Sequence, residues 1–152
     1  MLVGVLSDTH GLLRPAALDA LAGVDHILHA GDVGDMAILD ALRAIGPVTA
    51  IRGNIDREGP CAALPATEAV DLDGCLTYML HALEDLDLSP KAAGIRMVVC
   101  GHSHRPSVEE RDGVLYLNPG SAGPRRFQLP VTVAMVRVVE GWPRAEIVEL
   151  AV

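Results

Sequence analysis

A chain of 152 residues that is 50% hydrophobic can bury one substantial core, which excludes a disordered polymer and fits a single domain spanning residues 1–152. Its formal charge of -8, with no basic cluster beyond Arg125-Arg126, excludes a long nucleic acid as main partner, since such binding leaves a basic footprint. Cys61, Cys75 and Cys100 sit at no metal-finger spacing, no signal-peptide pattern opens the chain, and no apolar run reaches the roughly 20 residues of a membrane span, so a cytoplasmic protein with no membrane partner is expected.

The chain opens on an apolar, partly β-branched run, residues 2–6, which reads as a buried strand and runs into Ser7-Asp8-Thr9-His10-Gly11. Leu13, Ala17, Leu18 and Leu21 lie at helical spacing with Pro15 suited to a first turn, so residues 13–21 are expected to be helical. Residues 25–29 form a second short strand leading to Ala30-Gly31-Asp32, residues 36–45 a second helix closed by Gly46-Pro47, and residues 48–51 a third strand leading to Arg52-Gly53-Asn54-Ile55-Asp56. This β-α-β-α-β order implies parallel strands, and open α/β sheets gather ligands at the carboxyl ends of their strands.

The second half changes character. Residues 58–65 read as a surface loop. Asp73-Gly74 between residues 68–72 and 75–80 signals a hairpin whose second strand ends at His81. Residues 89–93 are expected to form a short helix, with Ser89 as cap and Pro90 at its first position. Residues 96–100 make another buried strand, ending in Gly101-His102-Ser103-His104, and Asp112-Gly113 marks a hairpin between residues 108–111 and 114–117. Two last strands, 131–139 and 145–150, are joined around Gly141-Trp142-Pro143. The outline is an α/β fold: two facing mixed β-sheets, a β-sandwich, flanked by α-helices.

Asp8, His10, Asp32, Asn54, His81, His102 and His104 each follow an apolar run. They are too many for one zinc, which takes about four ligands. They suit two ions sharing a bridging carboxylate and a bridging water, and two metals about 3.5–4 Å apart can hold a phosphoryl group and lower the pKa of that water. The mixed His/Asp/Asn set favours manganese, iron, cobalt, nickel or zinc over magnesium or calcium. Each signal alone is ordinary: Asp8-x-His10, Gly31-Asp32 and Asn54 are common turn residues, and a single histidine such as His81 usually packs. Their conjunction in one order carries the metal reading. Asp56 is expected to tie down the Asn54 loop and not to ligate, and His29 to pack or hydrogen-bond. Arg57, Arg105 and Arg125 are candidate phosphate clamps or solvated surface arginines, and Ser121 contacts an anion or ends a turn. Cys100, inside an apolar run, is expected to be buried and inert.

Asp8-Thr9-His10, Gly31-Asp32, Gly53-Asn54-Ile55-Asp56, His81 and Gly101-His102-Ser103-His104 occur in an order that resembles the calcineurin-like metallophosphoesterases. Asn118-Pro119-Gly120-Ser121 is similar to a motif of their small single-domain bacterial and archaeal branch, the YfcE-type phosphodiesterases. The resemblance runs from residue 1 to about residue 126 and implies the metallophosphoesterase fold with two divalent metal ions, manganese foremost, with nickel, cobalt, iron or zinc as alternatives. It implies one metal on Asp8, His10, Asp32 and His104 and the other on Asp32, Asn54, His81 and His102. The implied activity is that of a phosphodiesterase, which hydrolyses a small phosphoester by in-line attack of a metal-bridging hydroxide. On this reading Asp32, Asn54 and His102 would be catalytic, and Arg57, Arg105 and Ser121, from their own chemistry, are the candidate substrate contacts. Small members of this branch are often dimers or tetramers, and the apolar composition permits such a homo-oligomer here.

Two positions depart from the family pattern. Ala82 follows His81 where glycine is usual, and Ile55 stands where larger relatives carry a proton-donating histidine. General acid catalysis is typically worth about 10²–10⁴-fold, so an activated leaving group or a donor from elsewhere is expected. The rival readings are a protein-interaction scaffold like the eukaryotic retromer subunit that resembles this fold, and a nuclease acting on short oligonucleotides.

Overall fold

The computed structural model describes residues 1–152. In chain order its elements are β1 (Leu2–Leu6), α1 (Pro15–Leu21), β2 (His26–His29), α2 (Met36–Arg43) and β3 (Val48–Ala50), followed by seven further strands. These are β4 (Thr67–Leu72), β5 (Cys75–Leu80), β6 (Met97–Val99), β7 (Ser107–Arg111), β8 (Val114–Asn118), β9 (Thr132–Val139) and β10 (Trp142–Glu149). One sheet has the order β10-β9-β1-β2-β3, the other β4-β5-β6-β8-β7. Both are mixed: β1, β2 and β3 run parallel with β9 antiparallel to β1, while β5, β6 and β8 run parallel with β4 and β7 antiparallel at the edges.

Strand alternation builds three apolar layers from this pairing. Val3 and Val5 of β1 and Ala134, Val136 and Val138 of β9 face Met79, Met97, Val99 and Leu117 of the other sheet, forming the sandwich core. The opposite faces of β1 and β9 send Leu6 and Val133 toward Leu21 of α1 and Leu39 and Leu42 of α2. Helix α1 sits so close to β1 that a Cβ on Gly4 would overlap the Leu21 side chain. α2 starts where Asp35 accepts from the Ala37 N–H at 2.9 Å, a side-chain cap. The outer face of the second sheet, with Val98, Val114 and Leu80, is covered by Leu83, Leu86 and Leu88 of the loop after β5.

The sandwich matches the expected α/β architecture, with local differences. Both helices flank the first sheet, and only the loop after β5 lies over the outer face of the second. Residues 89–93 close single turns, Ala93 N–H to Ser89 carbonyl and Ile95 N–H to Pro90 carbonyl, and form no helix. So short a segment does not outweigh the cost of helix nucleation, and Gly94 at φ 77 reverses the chain. The last turn lies one residue earlier than expected: Glu140 (φ 53) and Gly141 (φ 80) form a two-residue hairpin loop, and Trp142 and Pro143 already pair with Val139 and Val138. Pro143 is tolerated there because β10 is an edge strand. The loop at 58–65 contains a short 3-10 turn, Pro60–Ala63.

Candidate metal centre

Six strands deliver their carboxyl ends to one edge of the sandwich. Asp8 and His10 follow β1, Asp32 follows β2, Asn54 follows β3, His81 follows β5, His102 and His104 follow β6, and Asn118–Ser121 closes β8. Backbone bonds stitch these exits together within each sheet: Asp8 N–H to Gly31 carbonyl (3.0 Å), His10 N–H to Asp32 carbonyl (2.9 Å) and Gly101 N–H to His81 carbonyl (2.9 Å). Ala122 N–H to Ser7 carbonyl (3.0 Å) and His102 N–H to Asp8 Oδ2 (3.1 Å) join the loops of one sheet to those of the other. Asn118 holds the histidine loop from below, its amide donating to Gly101 carbonyl at 3.0 Å and Ser103 Oγ at 3.1 Å.

The turns that aim these side chains are strained. Asp8, His10, Asp32, His102 and His104 all have φ between 46 and 71°, the left-handed region that only Asn, Asp and His visit with any ease among non-glycine residues. Each such residue costs on the order of 1–3 kcal/mol and persists only where its surroundings hold it. Neighbouring glycines make room: a Cβ on Gly53 would overlap the Asp32 carboxylate, and one on Gly101 would overlap the Ser7 hydroxyl.

Each carboxylate divides its work. Asp8 Oδ2 accepts the His102 N–H, leaving Oδ1 3.8 Å from His10 Nε2, 3.7 Å from His81 Nε2 and 3.4 Å from His104 Nε2. Asp32 Oδ1 accepts the Ile55 N–H at 3.0 Å, leaving Oδ2 between His10 Nε2 (3.3 Å) and His81 Nε2 (3.2 Å). Asn54 Oδ1 lies 3.0 Å from His102 Nδ1. His81 Nδ1 donates to Ala30 carbonyl at 2.7 Å, which selects the tautomer with a bare Nε2 aimed at the carboxylates. Two donor groups result, Asp8/His10/His104 and Asp32/His81/His102. Asp8 Oδ1, His10 Nε2, His81 Nε2 and His104 Nδ1 are buried without a hydrogen-bond partner. Unpaired buried polar atoms are costly and rare, and this set has the composition of a site that could hold divalent cations.

The electrostatics agree with a site built for positive charge. Burial alone raises the Asp8 pKa, but the rings of His10, His104 and His81 and the Ser7 hydroxyl outweigh it and hold the carboxyl well below its ordinary range. Burial also acts to raise Asp32, yet His81 and the Ile55 N–H bring it below its ordinary value. His10 is raised, chiefly by Asp8 and against burial. For His81 burial is the largest single effect and lowers the pKa, but Asp32, the Ala30 carbonyl and Asp8 together raise it.

All seven sequence-derived donors converge here; the other candidates divide. Asp56 is 4% exposed and accepts three backbone N–H groups, from Val33, Gly34 and Gly53, tying the Asp32 loop to the Asn54 loop. His29 is fully buried beneath the site: it accepts the Gly31 N–H on Nδ1 and donates from Nε2 to Thr9 Oγ1, and burial pushes its pKa down to about 4. Ser121, a candidate anion contact or turn residue from the sequence, is 2% exposed and its hydroxyl donates to the Asp8 carbonyl, so it braces the Asp8 turn. Arg57 donates to the Asn54 carbonyl and Arg125 to the Leu129 carbonyl, both at the exposed surface; Arg105 follows His104, exposed. Cys100 is buried, and burial pushes its thiol up to about 11. Sequence reasoning missed Arg126, whose charge opposes protonation of His10, and Thr9, whose hydroxyl links His29 to the Val33 carbonyl. Arg126 adjoins Arg125, the one basic pair in the chain, and that was the available signal.

Comparison with known proteins gives consistent matches. Residues 1–141 match the model of the calcineurin-like phosphoesterase superfamily domain. The chain is 34% identical over 134 residues to a protein of Methanocaldococcus jannaschii named a probable metallophosphoesterase, covering 80% of this chain and 68% of that protein. Among solved structures, an archaeal phosphodiesterase superposes with a TM-score of 0.79 at 21% identity, covering 97% of this chain and 100% of that one. Vps29 from Entamoeba histolytica, solved in complex with zinc, superposes with a TM-score of 0.76 at 20% identity, covering 98% of this chain and 99% of that one.

Proposed function

The chain belongs to the calcineurin-like phosphoesterase superfamily, and from that premise we propose that it is a cytoplasmic, metal-dependent phosphodiesterase that hydrolyses a small phosphoester with two divalent cations, manganese foremost. The observation that carries the reading is the pair of donor groups, in which Asp8 Oδ1, His10 Nε2 and His81 Nε2 are buried and unpartnered. Asp8, His10 and His104 would hold one cation, His81, His102 and Asn54 the other, and Asp32, whose Oδ2 lies between His10 and His81, would serve both. Bound there, the cations supply charge to neutralise phosphoryl oxygens and lower the pKa of water to near neutrality.

The chain's own residues do the positioning. The Ala30 carbonyl keeps the proton of His81 on Nδ1, and the backbone N–H groups of His102 and Ile55 each occupy one oxygen of Asp8 and Asp32, so the other oxygen stays available. Asn54 and His102 are the exposed members of the set and stand where a phosphate would enter, with Arg126 adding positive charge on the His10 side. Fixed donors of this kind act by orientation and charge stabilisation, and no covalent intermediate on the protein is required. Ile55 has no proton to give. Leaving groups with low pKa, or solvent as proton donor, follow from that.

The test is hydrolysis of bis-p-nitrophenyl phosphate and p-nitrophenyl phosphate by chelator-stripped protein, with manganese, nickel, cobalt, zinc or magnesium restored, beside Asp32→Ala. Diester cleavage that returns with metal and is absent in Asp32→Ala supports the reading. No turnover with any metal moves it to a protein-interaction scaffold, and cleavage confined to short oligonucleotides moves it to a nuclease.

A further inference from the structure

Strand β10 ends the first sheet, and its outer edge has no neighbour. The Leu150 N–H donates to the Val131 carbonyl at 2.8 Å, so by the period of two the even-numbered residues of β10 turn their backbone groups toward β9. Pro143, Ala145 and Ile147 therefore present theirs to the open edge. On the face turned toward the helices, Arg144 lies directly opposite Arg137. Neither guanidinium is neutralised, the arginine ion pairs of the molecule being Arg43–Asp40 and Arg111–Glu109, and like charges so placed are destabilising. Val139 and Trp142, the next cross-strand pair, are 57% and 53% exposed. On the face turned toward the second sheet, half-buried Ala145 and Ile147 and the exposed Val108 of the adjoining β7 leave the rim of the sandwich core open. An edge strand with free backbone groups and exposed apolar side chains is a template for another strand.

We propose that this edge receives β10 of a second copy, antiparallel about a twofold axis at Ala145, so that the two first sheets become one continuous sheet. Trp142-Pro143-Arg144-Ala145-Glu146-Ile147-Val148 is complementary to itself in that register. Arg144 meets the partner's Glu146, Trp142 meets the partner's Val148 and Pro143 meets the partner's Ile147, each contact repeated by the axis. Facing residues of an antiparallel pair share one side of the sheet, so the ion pairs form on the face where Arg144 adjoins Arg137 and supply the negative charge missing there. The backbone parity agrees. Ala145 N–H donates to the partner's Ala145 carbonyl and Ile147 N–H to the partner's Pro143 carbonyl, while Pro143 lacks only the N–H that the partner's Ile147 carbonyl would accept. Other registers are penalised: an axis at Arg144 or Glu146 sets that residue against its own copy. The neighbouring edge, β7, is protected in the same way, because full-length pairing with itself sets Glu109 against its own copy.

The experiment is analytical ultracentrifugation of the full chain over a dilution series reaching roughly 1 mM, which populates even a weak interface. Reversible association from 16.0 kDa to twice that mass is expected. Ala145→Pro removes only an N–H that points to the open edge, so it should retain the parent's far-UV dichroism and raise the dimer Kd by about 100-fold or more. Arg144→Glu and Glu146→Arg each turn both symmetric ion pairs into repulsions and should raise Kd by about tenfold or more. Mixed in equal amounts, these two variants make every cross-strand pair complementary again, and a heterodimer of near-parental Kd should form. The Ala145 and Ile147 amides should exchange with solvent more slowly in the dimer than in the monomer. If Ala145→Pro fails to fold, the two charge variants and their mixture carry the test. A single species of 16.0 kDa at every concentration, a dimer that both charge variants leave intact, or variants that do not associate on mixing would overturn the assignment.

Discussion

Replacing Asp56 by alanine tests how this site is held together. Asp56 Oδ2 accepts from Val33 N–H at 3.1 Å and Gly53 N–H at 2.9 Å, and Oδ1 accepts from Gly34 N–H at 3.0 Å. Hydrogen bonds to charged groups are worth about 1.5–3 kcal/mol each, so simple addition gives roughly 4.5–9 kcal/mol. Removing the carboxylate also removes its own desolvation cost, which brings the expected loss to about 3–5 kcal/mol. For a domain of this size that corresponds to a Tm lower by roughly 8–15 °C in the metal-free protein. Because the three bonds join the Asp32 loop to the Asn54 loop, manganese affinity should fall as well, by about 10–100-fold. Asp56→Asn keeps one acceptor oxygen but turns an NH₂ toward a backbone N–H, and should fall between parent and alanine on both measures. Differential scanning calorimetry and isothermal titration with manganese read the two effects. An alanine variant that melts within about 2 °C of the parent and binds manganese equally well would refute the view that this carboxylate holds the loops.

Further outcomes follow from the same geometry. His29 has a folded pKa of about 4 against an ordinary 6.5, so the unfolded chain binds its proton first and stability is lost as pH falls from 6.5 toward 4, by roughly 3 kcal/mol. His29→Gln should flatten that part of the urea-derived stability profile of metal-free protein; parallel profiles would rule out the assignment. His10 and His81 have raised pKa values, so metal binding near neutral pH displaces protons and affinity falls with acid. Titrations in buffers of different ionisation enthalpy should give different observed heats, and identical heats would contradict this. Gly53→Ala places a Cβ on the Asp32 carboxylate and should weaken metal binding and diester hydrolysis by on the order of 100-fold, with the far-UV dichroism retained. Unchanged affinity would show that the Asp32 turn can yield.

Much of this molecule was legible in one dimension. Short apolar runs led into Asp8, Asp32, Asn54, His81 and His102, and strand alternation depends only on neighbours along the chain. The strands, the Asp73-Gly74 hairpin and the candidate donors could therefore be read from periodicity and spacing. Short segments were less secure: residues 89–93 carried a helix signal that one turn could not sustain, and Glu140-Gly141 made a hairpin loop without the usual Asn or Asp. What only the tertiary structure decided is how each donor is used. The tautomer of His81 is set by the Ala30 carbonyl 51 positions away, the Ser121 hydroxyl braces Asp8 across 113 positions, and the Asp8 carboxylate meets the His102 N–H across 94. Burial and left-handed turns at five donors arise where loops from two sheets meet. A sequence records which groups are present, but their ionisation and orientation depend on the low-dielectric surroundings and partners that packing brings from distant parts of the chain.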